Sequence, residues 1–358
     1  MPPRDSTHRM VTIRDIASDT GLSVATISVV LNQTPKAKKI PSNTQRRIQE
    51  SARRLGYTPN LVARSLRSRR THNVGLLVFD ISDPFCSVIV RGIEKSLYES
   101  GYMAVLTDLQ DDPMRLRSCA KMLMEGRVGG IVAIANPLYF EKELFEILSG
   151  FRVPAVIMGR ERKQRGFASV VIENEAGTYA LMEHIYQLGH RDMAFIKGPE
   201  AVNDSEPRWN GLCAFAKKVG LKISPELVVQ INGRNSTYEE GYHLTEKLLR
   251  ANRKFTALIT FDDLTAFAAI VALTSAGIRV PQDCSVAGFD DLPGAAFYNP
   301  PLTTVDQFLE KQGTIAGDLI KALISGQAAA KKIELHQKVV PQLVVRGSTA
   351  PPPSFSPR

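Results

Sequence analysis

The cationic side chains of this 358-residue chain are concentrated at one end. Residues 1–72 contain fourteen Lys and Arg against four Asp and Glu, whereas the remaining residues contain 31 against 32. Arg and Lys side chains bind phosphate oxygens, so this distribution favours a nucleic acid as the partner. A charged run is more often only a solvated surface, and the choice between the two interpretations depends on the elements that carry the charge.

Carboxylates gather directly after several apolar segments in the rest of the chain, and Phe85 accompanies the first group: Asp80, Asp83, Asp262, Asp263, Asp290 and Asp291. Ligands usually bind beyond the carboxyl ends of strands in open α/β sheets, so these positions are candidates for a ligand-binding cleft. Acid–base catalysis is the alternative, but adjacent carboxylates such as Asp262 and Asp263 do not converge on one substrate atom.

Other reactive sites are not indicated. His184 and His190 flank one predicted helix end without a nucleophile or a trio of metal ligands, which predicts structural roles for both. The cysteines have no spacing typical of a zinc site or a disulfide framework: Cys86, Cys119, Cys213 and Cys284. No glycine-rich phosphate-binding motif follows a strand, so the sequence predicts no enzyme, no metal and no cofactor.

The cationic end contains a sequence, Thr12 to Asn32, that predicts two short helices joined by a tight turn. Thr12 and Ser23 are favourable N-cap residues, and Gly21 can form the left-handed corner between the helices. Apolar residues recur at helical spacing: Ile13, Ile16, Ala17, Leu22, Ile27 and Val30. A helix-turn-helix is therefore predicted, with an ordinary helical hairpin as the alternative.

Two further elements follow in the cationic region. A third helix is predicted from a Ser42–Gln45 capping box to about Leu55, and it would close the helical core. The next segment, residues 60–70, places Leu66 among four arginines. Such a composition suits a minor-groove wedge that bends the duplex, whereas a flexible basic linker is an equally good interpretation of this segment alone.

From Asn73 onward, apolar strands alternate with helical segments. Nine strands are predicted, at 73–80, 102–108, 129–136, 153–159, 168–173, 192–198, 227–231, 255–261 and 284–289. The intervening helices are predicted at 84–100, 113–126, 138–148, 174–188, 206–219, 237–250 and 262–276. This alternation predicts an α/β core of parallel sheets covered on both faces, arranged as two doubly wound lobes.

The N-terminal residues lack an apolar signal segment, and no apolar run reaches the length of a membrane span. A soluble, cytoplasmic protein is therefore expected. A periplasmic solute-binding protein would share the two-lobed core, but the basic helical head argues against that alternative.

Several motifs together resemble the LacI/GalR family of bacterial transcription repressors: TIRDIASDTGLSVATIS, YTPNLVARSL, VGLLVFDISDPF, LGHRDMAFIKGP and AGFDDLPGAAFYNPPLTTVDQ. The resemblance covers nearly all of residues 11–347. It implies a DNA-binding head, a hinge helix ordered on operator DNA, and a core similar to periplasmic sugar-binding proteins. It further implies a homodimer that reads a palindromic site, and a small effector that changes the affinity for DNA.

The resemblance also implies DNA-contacting positions. The base-reading positions correspond to Val24, Ala25 and Val29, and the phosphate-contacting and hinge positions to Thr12, Ser23, Thr26, Ser28, Asn32, Asn60, Ala63, Arg64 and Leu66. Many relatives carry a polar residue where this chain has Val29. Because Val and Ala can touch a thymine methyl group but cannot hydrogen-bond a base edge, more discrimination is expected from the hinge and from DNA shape.

Effector-contacting positions implied by the resemblance correspond to Asp83, Phe85, Arg160, Arg208, Trp209, Asp262 and Asp290. An Arg with two carboxylates can hold the vicinal hydroxyls of a sugar. The alternatives are a helix N-cap for Asp262 and a salt bridge between the lobes for Asp290. Arg160 stands where several relatives have Asp, and a cation at the rim would suit an acidic or phosphorylated sugar.

The expected domains are a helix-turn-helix head (1–58), a hinge (59–72), a first lobe (73–173 and 304–334), a second lobe (174–303 and 335–347) and a disordered tail (348–358). The chain is expected to cross between lobes near 173–174, 291–304 and 333–337, so that an effector could close the cleft. The predicted function is an effector-controlled, DNA-binding repressor, with a sugar-binding protein that lacks any regulatory role as the alternative.

Overall fold

The computed structural model describes residues 11–31, 35–57 and 71–353, except residues 111, 127, 135–140, 152, 162, 164, 252 and 331. The chain divides after Thr71 into two compact units, here called the head and the core. Within the described ranges, no helix has both the length and the apolar character needed to cross a lipid bilayer. The predicted hinge segment at 60–70 lies outside the described residues.

Three helices form the head: α1 (Ile13–Thr20), α2 (Val24–Leu31) and α3 (Ser42–Arg54). The Asp15 carboxylate accepts hydrogen bonds of 2.7 Å from the backbone N–H and the hydroxyl of Thr12, which fixes the start of α1. Gly21 ends that helix with φ 64°, and the Ser23 hydroxyl caps α2 by accepting from the N–H of Thr26 at 3.2 Å. The predicted helix-turn-helix is confirmed.

The head has a small apolar core to which all three helices contribute: Ile16, Ile27, Val30, Ile48 and Ala52. A polar link between α1 and α3 supports it. The Asp19 carboxylate accepts from the Ser51 hydroxyl at 2.5 Å and pairs with Arg54 at 2.5 Å, and these contacts lower the pKa of Asp19. The two predicted helices and the third are thus locked into one unit.

The predicted Ser42–Gln45 capping box is wrong. Ser42 is already the first helical residue of α3, so its hydroxyl is not in the capping position. The Gln45 side-chain amide instead donates to the carbonyl oxygens of Ala37 and Ile40, at 2.9 and 2.8 Å. These bonds hold a short 3₁₀ turn, Pro35–Lys39, against the helix that follows it.

A six-stranded sheet organises the first lobe of the core. Its strands are β1 (Asn73–Val78), β2 (Met103–Asp108), β3 (Gly130–Ile134), β4 (Ala155–Met158), β5 (Phe167–Ile172) and β11 (His336–Val339), in the spatial order β11-β5-β4-β3-β1-β2. Its helices are α4 (Pro84–Tyr98), α5 (Pro113–Glu125), α6 (Glu141–Phe151), α11 (Leu309–Ser325) and the short α12 (Gln327–Ala330). All neighbouring strands run parallel, and every residue of β3 and β4 is buried, as the apolar runs predict.

The second lobe contains a four-stranded parallel sheet in the order β7-β6-β8-β9, formed by β6 (Met193–Lys197), β7 (Val228–Gln230), β8 (Ala257–Thr260) and β9 (Ser285–Ala287). Its helices are α7 (Asn174–Gln187), α8 (Ser205–Val219), α9 (Tyr238–Leu249) and α10 (Asp263–Ser275). An antiparallel pair, β10 (Thr304–Asp306) and β12 (Gln342–Val344), completes the core. All nine predicted strands are present, and the predicted fold class is confirmed.

The lobe boundaries differ from the prediction at two places. β10 belongs with the second lobe, because Val305 packs into the apolar core of that lobe. In addition, the backbones of Asp306 and Asp290 form a parallel β-bridge. β11 belongs with the first lobe, where His336 pairs with Ser169 of β5. The chain therefore crosses at Glu173 as predicted, but its later crossings lie between β10 and α11 and between β11 and β12.

The segment 348–353 is not a disordered tail, contrary to the prediction. Ser348 is fully buried, and its hydroxyl accepts from the N–H of Thr303 at 2.8 Å and donates to the Val286 carbonyl at 2.6 Å. The imidazole Nε2 of His190 donates to the Ala350 carbonyl at 2.8 Å. The segment thus packs against β9 of the second lobe through Ser348, and residues 354–358 lie outside the described part of the chain.

We expect His190→Gln to lower the free energy of unfolding by about 1–3 kcal/mol at pH 8. The buried groups that hydrogen-bond to the His190 imidazole would lose this partner. Burial lowers the pKa of His190 from its ordinary 6.5. As the pH falls, the imidazole of the unfolded chain binds a proton before that of the folded chain. The stability that His190 contributes to the wild type is therefore lost as the pH falls below about 6.5.

Urea unfolding of both proteins at pH 8 and pH 5 tests this expectation, since their difference should shrink at the lower pH. His243, which is exposed on α9, provides His243→Gln as the control. A difference between wild type and His190→Gln that stays constant over this range would contradict the proposed role of the neutral imidazole.

Candidate DNA-binding head and effector cleft

Helix α2 has a buried, apolar inner side and an exposed outer side. Ile27 and Val30 are buried, whereas Val24 and Ala25 are exposed at the start of the helix. Val29 is half-buried, as are Thr26 and Ser28. The hydroxyl groups of Ser23 and Thr26 lie 2.9 Å apart, so both stand beside the exposed end of α2. Among the other predicted DNA contacts, Thr12 is exposed, while the following lie outside the described residues: Asn32, Asn60, Ala63, Arg64 and Leu66.

All eight described Arg and Lys residues of the head are exposed, and two of them also have protein partners. Arg47 donates to the Thr20 carbonyl at 2.6 Å and Arg54 pairs with Asp19, so both take part in packing. The other six are three lysines of the 3₁₀ turn and three arginines: Lys36, Lys38, Lys39, Arg14, Arg46 and Arg53. The head therefore presents hydroxyl groups, apolar side chains and uncompensated positive charge, which suits contact with a nucleic acid backbone.

A cavity of about 420 Å³ lies in the core between its lobes. The first lobe contributes Phe79, Asp83 and Phe85, and the second contributes Val202, Arg208, Asn235, Ser236, Phe261, Asp262, Leu264 and Asp290. Five of the seven predicted effector contacts therefore share one cavity. Phe79 and Phe261 were not predicted as contacts. Each directly follows a strand, and the same position after a strand predicted the neighbouring carboxylates.

Arg208 is the central side chain of the second-lobe wall and is only 4% exposed. Its Nε donates to the Asn174 side chain at 3.0 Å, and its terminal nitrogens donate to the Phe261 carbonyl at 2.8 Å and to Asp290 at 3.0 Å. The Phe289 ring lies 3.9 Å below the guanidinium carbon. Four fixed contacts hold this guanidinium in place before any ligand arrives.

Asp290 is part of an ion pair within the second lobe, so the predicted alternative of a salt bridge between lobes is wrong. Its carboxylate accepts from Arg208 and, at 2.5 Å, from the side-chain amide of Gln307. Burial raises the pKa of Asp290, and the neighbouring Arg208 opposes this shift. Both donors bond to Oδ1, so the carboxylate orients Arg208 while its Oδ2 accepts no hydrogen bond from the described residues.

Asp83 and Asp262 are N-caps of helices from different lobes. Asp83 accepts from the N–H of Phe85 at 2.9 Å at the start of α4, and Asp262 accepts from the N–H of Thr265 at 2.8 Å at the start of α10. Asp262 also accepts from the Ser236 hydroxyl. Burial raises the pKa of Asp83 to about 7, and the negative charge of Asp262 adds to this shift. Asp262 therefore both caps α10 and lines the cavity.

Arg160 and Trp209 do not line this cavity. Arg160 follows β4, is buried, and is not among the residues that line the cleft, where a cationic rim was predicted. The Trp209 ring packs edge-on against Phe195, at 5.6 Å between centroids, and Lys197 lies over its other side. Trp209 instead lines a second cavity of about 310 Å³, to which Arg208 and Phe261 also contribute.

Comparison with known proteins agrees with both units. Residues 12–60 match the family of bacterial regulatory proteins described as the lacI family, and residues 182–349 match a periplasmic binding protein-like domain. The HTH-type transcriptional repressor PurR of Photorhabdus laumondii is 31% identical over 92% of this chain and 96% of its own length. The PurR repressor of Pectobacterium carotovorum is 32% identical over 96% and 98%, respectively.

Solved structures give the same result. The lac repressor dimer bound to operator and the anti-inducer ONPF has a TM-score of 0.84 at 25% identity, covering 96% of this chain and all of that chain. The transcriptional regulator CelR in complex with cellobiose has a TM-score of 0.69 at 26% identity, covering 94% and 99%. The chain belongs to the LacI family of bacterial transcriptional regulators, and a periplasmic-binding-protein-like core follows its helix-turn-helix head.

Proposed function

We propose that the protein binds a palindromic operator in the cytoplasm as a homodimer, represses transcription, and responds to a small sugar-like effector in the cleft. The observation that carries this proposal is the cavity between the lobes, where Arg208 is fixed by Asp290 beside the carboxylates of Asp83 and Asp262. One structural relative supports the ligand class, since the regulator CelR was solved with cellobiose.

The head is proposed to read DNA through the exposed end of α2. Val24 and Ala25 can contact thymine methyl groups, whereas neither can hydrogen-bond a base edge. Phosphate contacts from Thr12, Ser23, Thr26 and Ser28 would set the register, and the undescribed residues Asn32, Asn60, Ala63, Arg64 and Leu66 remain proposed contacts. Direct readout is therefore expected to be modest, with the bendability of the central base steps contributing to specificity.

Selection of bound duplexes from a random DNA pool tests the operator proposal. The full chain should enrich a palindrome with thymines in each half-site, and a chain that begins at His72 should enrich none. Repeating the selection in the presence of a small-molecule cell extract tests effector control. If the full chain shows ligand binding but no palindrome preference with or without extract, the sugar-binding protein without a regulatory role becomes the better account.

Homodimer formation is proposed through the open edge of the first lobe. β2 is an edge strand of the six-stranded sheet, and exposed apolar side chains lie on it and on the adjacent helices: Tyr98, Met103, Leu106, Met114 and Met122. An exposed apolar edge strand is unfavourable in a monomer, because it offers unpaired backbone groups and apolar surface to other chains. One relative, the lac repressor, was solved as a dimer on its operator.

We expect Met103→Glu to produce a monomer whose operator affinity is lower by about 10²-fold or more, because one half-site is then bound without its partner. Size-exclusion chromatography with light scattering and a duplex titration would measure both effects. Val345→Glu provides a matched control, since Val345 is 56% exposed and Met103 is 57% exposed. A dimeric Met103→Glu variant with unchanged operator affinity would contradict the proposed interface.

Effector control is proposed to act through the three crossings between lobes. A ligand that contacts Asp83 on the first lobe and Asp262 on the second stabilises a closed arrangement of the lobes. Closure changes the spacing of the paired first lobes and therefore of the two heads on DNA. A coupling free energy of about 1–3 kcal/mol is sufficient, because it already changes the affinity for DNA between fivefold and a hundredfold.

A further inference from the structure

The wall of the cleft carries more negative than positive charge. Asp83, Asp262 and Asp290 face the cavity, and Arg208 is the one basic side chain among the described residues that line it. The predicted cationic rim depended on Arg160, which is not on this wall. The expectation of an acidic or phosphorylated effector therefore loses the group that supported it.

The positive charge of Arg208 is already compensated. Its guanidinium donates to Asp290 and to two further protein oxygens, and a second carboxylate, Asp204, lies 4.0 Å away. Both side chains of the Arg208–Asp290 pair are buried. A ligand meets this pair as a nearly neutral unit, and the charge that remains at the wall is that of Asp83 and Asp262.

These two carboxylates approach the cavity from opposite lobes, and each retains acceptor capacity. One oxygen of Asp83 accepts from the Phe85 N–H, while the other accepts no hydrogen bond from the described residues. Asp262 accepts one hydrogen bond on each oxygen, whereas a carboxylate oxygen can accept two. Burial raises the pKa of Asp83 and the negative charge of Asp262 adds to this shift, so a cation between the two carboxylates would favour the charged form of Asp83.

Aromatic rings complete the surroundings of these carboxylates. Phe79 and Phe85 lie 6.4 Å apart on the first-lobe side, and Phe261 lies on the second-lobe side. Aromatic faces attract a cation that has been removed from water, and they also pack against the apolar face of a sugar ring. The cavity therefore combines apolar walls with two carboxylates at its lobe boundary.

We infer that the effector of this protein carries a protonated amino group, held between the carboxylates of Asp83 and Asp262, so that it bridges the two lobes. The inference rests on the proposed function of the cleft as the effector site. Binding of an amino sugar, or of another small hydroxylated amine, closes the lobes by neutralising the repulsion between Asp83 and Asp262. Neutral and anionic analogues of the same size lack this contact.

Fractionation of a bacterial small-molecule extract at pH 7 provides the test. The fractions retained by a cation exchanger, retained by an anion exchanger and retained by neither are each added to the full chain on its selected duplex. Glucosamine, glucose and glucose 6-phosphate are titrated in parallel as defined probes of each charge class. We expect the cationic fraction to change duplex binding, and glucosamine to raise the melting temperature more than its two analogues.

Two conservative variants identify the carboxylates responsible. Asn can replace Asp as an N-cap, so Asp83→Asn and Asp262→Asn remove charge while keeping the acceptor that starts each helix. Each should weaken the response to the cationic fraction by about tenfold or more, the value of one charge-assisted hydrogen bond. Asp112→Asn is the matched control, because Asp112 caps α5 through the Met114 N–H at 2.9 Å and does not line the cleft.

The outcomes separate this inference from the function on which it rests. A response confined to the neutral or anionic fraction would overturn the amine inference and leave effector control intact. A response to the cationic fraction that survives both Asn variants would overturn the assigned contacts. If no fraction changes duplex binding, effector control itself fails, and the inference fails with it.

Discussion

Replacing Arg208 by leucine is expected to lower the free energy of unfolding of the core by about 3–5 kcal/mol, the usual cost of leaving one partner of a buried ion pair without the other. Asp290 is 6% exposed and would keep the Gln307 amide as its main donor. The Phe261 carbonyl and the Asn174 side chain would also lose their donor. Urea unfolding of the full chain measures the change.

A second replacement distinguishes the buried charge from the lost packing. Arg208→Leu combined with Asp290→Asn removes both charges of the pair and leaves Asp204 with its hydrogen bond from Asn174, so this double variant should recover part of the loss. Arg279→Leu provides the control, because Arg279 is exposed and pairs with Asp283 at 2.7 Å. This exposed pair should give no measurable change in the unfolding midpoint. Equal effects of Arg208→Leu and Arg279→Leu would contradict the role assigned to the buried pair.

The same variants bear on ligand binding. Arg208 and Phe261 line both the cleft and the second cavity, so loss of the Arg208 side chain changes both spaces. Arg208→Leu is therefore expected to abolish the response to any effector, including a neutral one. The Asn variants of Asp83 and Asp262 should instead change which charge class of ligand is preferred. This difference would show that Arg208 maintains the shape of the cleft, whereas the two carboxylates determine its ligand specificity.

The elements of this protein could be predicted because their periodicity is strong. Buried parallel strands such as β3 and β4 are continuous apolar runs, and the head helices begin at Thr12 and Ser23, which are good caps. β11 could not be recognised in this way. Its sequence, HQKV, is mostly polar because an edge strand needs backbone pairing more than side-chain burial, and Ser169 of β5 provides that pairing.

Site residues were predictable only where the chain fixes the direction of the side chain. Asp83 and Asp262 begin helices at strand ends, a position that places a carboxylate near the mouth of a cleft. Arg208 and Trp209 are consecutive residues of α8, and successive helical side chains point about 100° apart. Both residues line the second cavity, but of the two only Arg208 also lines the cleft.

Gly313→Ala is expected to destabilise the first lobe by about 1–3 kcal/mol or more, which reverses the usual sign for a helix interior. A Cβ at Gly313 of α11 would lie 2.1 Å from the Ile89 carbonyl oxygen of α4, and one at Gly92 of α4 would lie 2.0 Å from the Glu310 carbonyl oxygen. Both obstacles are backbone atoms, so a rotamer change cannot relieve the overlap and the helices must separate.

Gly150→Ala is the matched control for this packing. Gly150 also lies within a helix, α6, but a Cβ there would have no neighbour within 4 Å, so its replacement should leave stability unchanged or slightly raised. Urea unfolding midpoints of the two variants should therefore move in opposite directions or differ clearly, and equal midpoints would exclude close helix packing at Gly313. Because Asp83 is the cap of α4, separation of α4 from α11 would also displace a carboxylate of the cleft, so Gly313→Ala should weaken the effector response at temperatures where the variant is still folded.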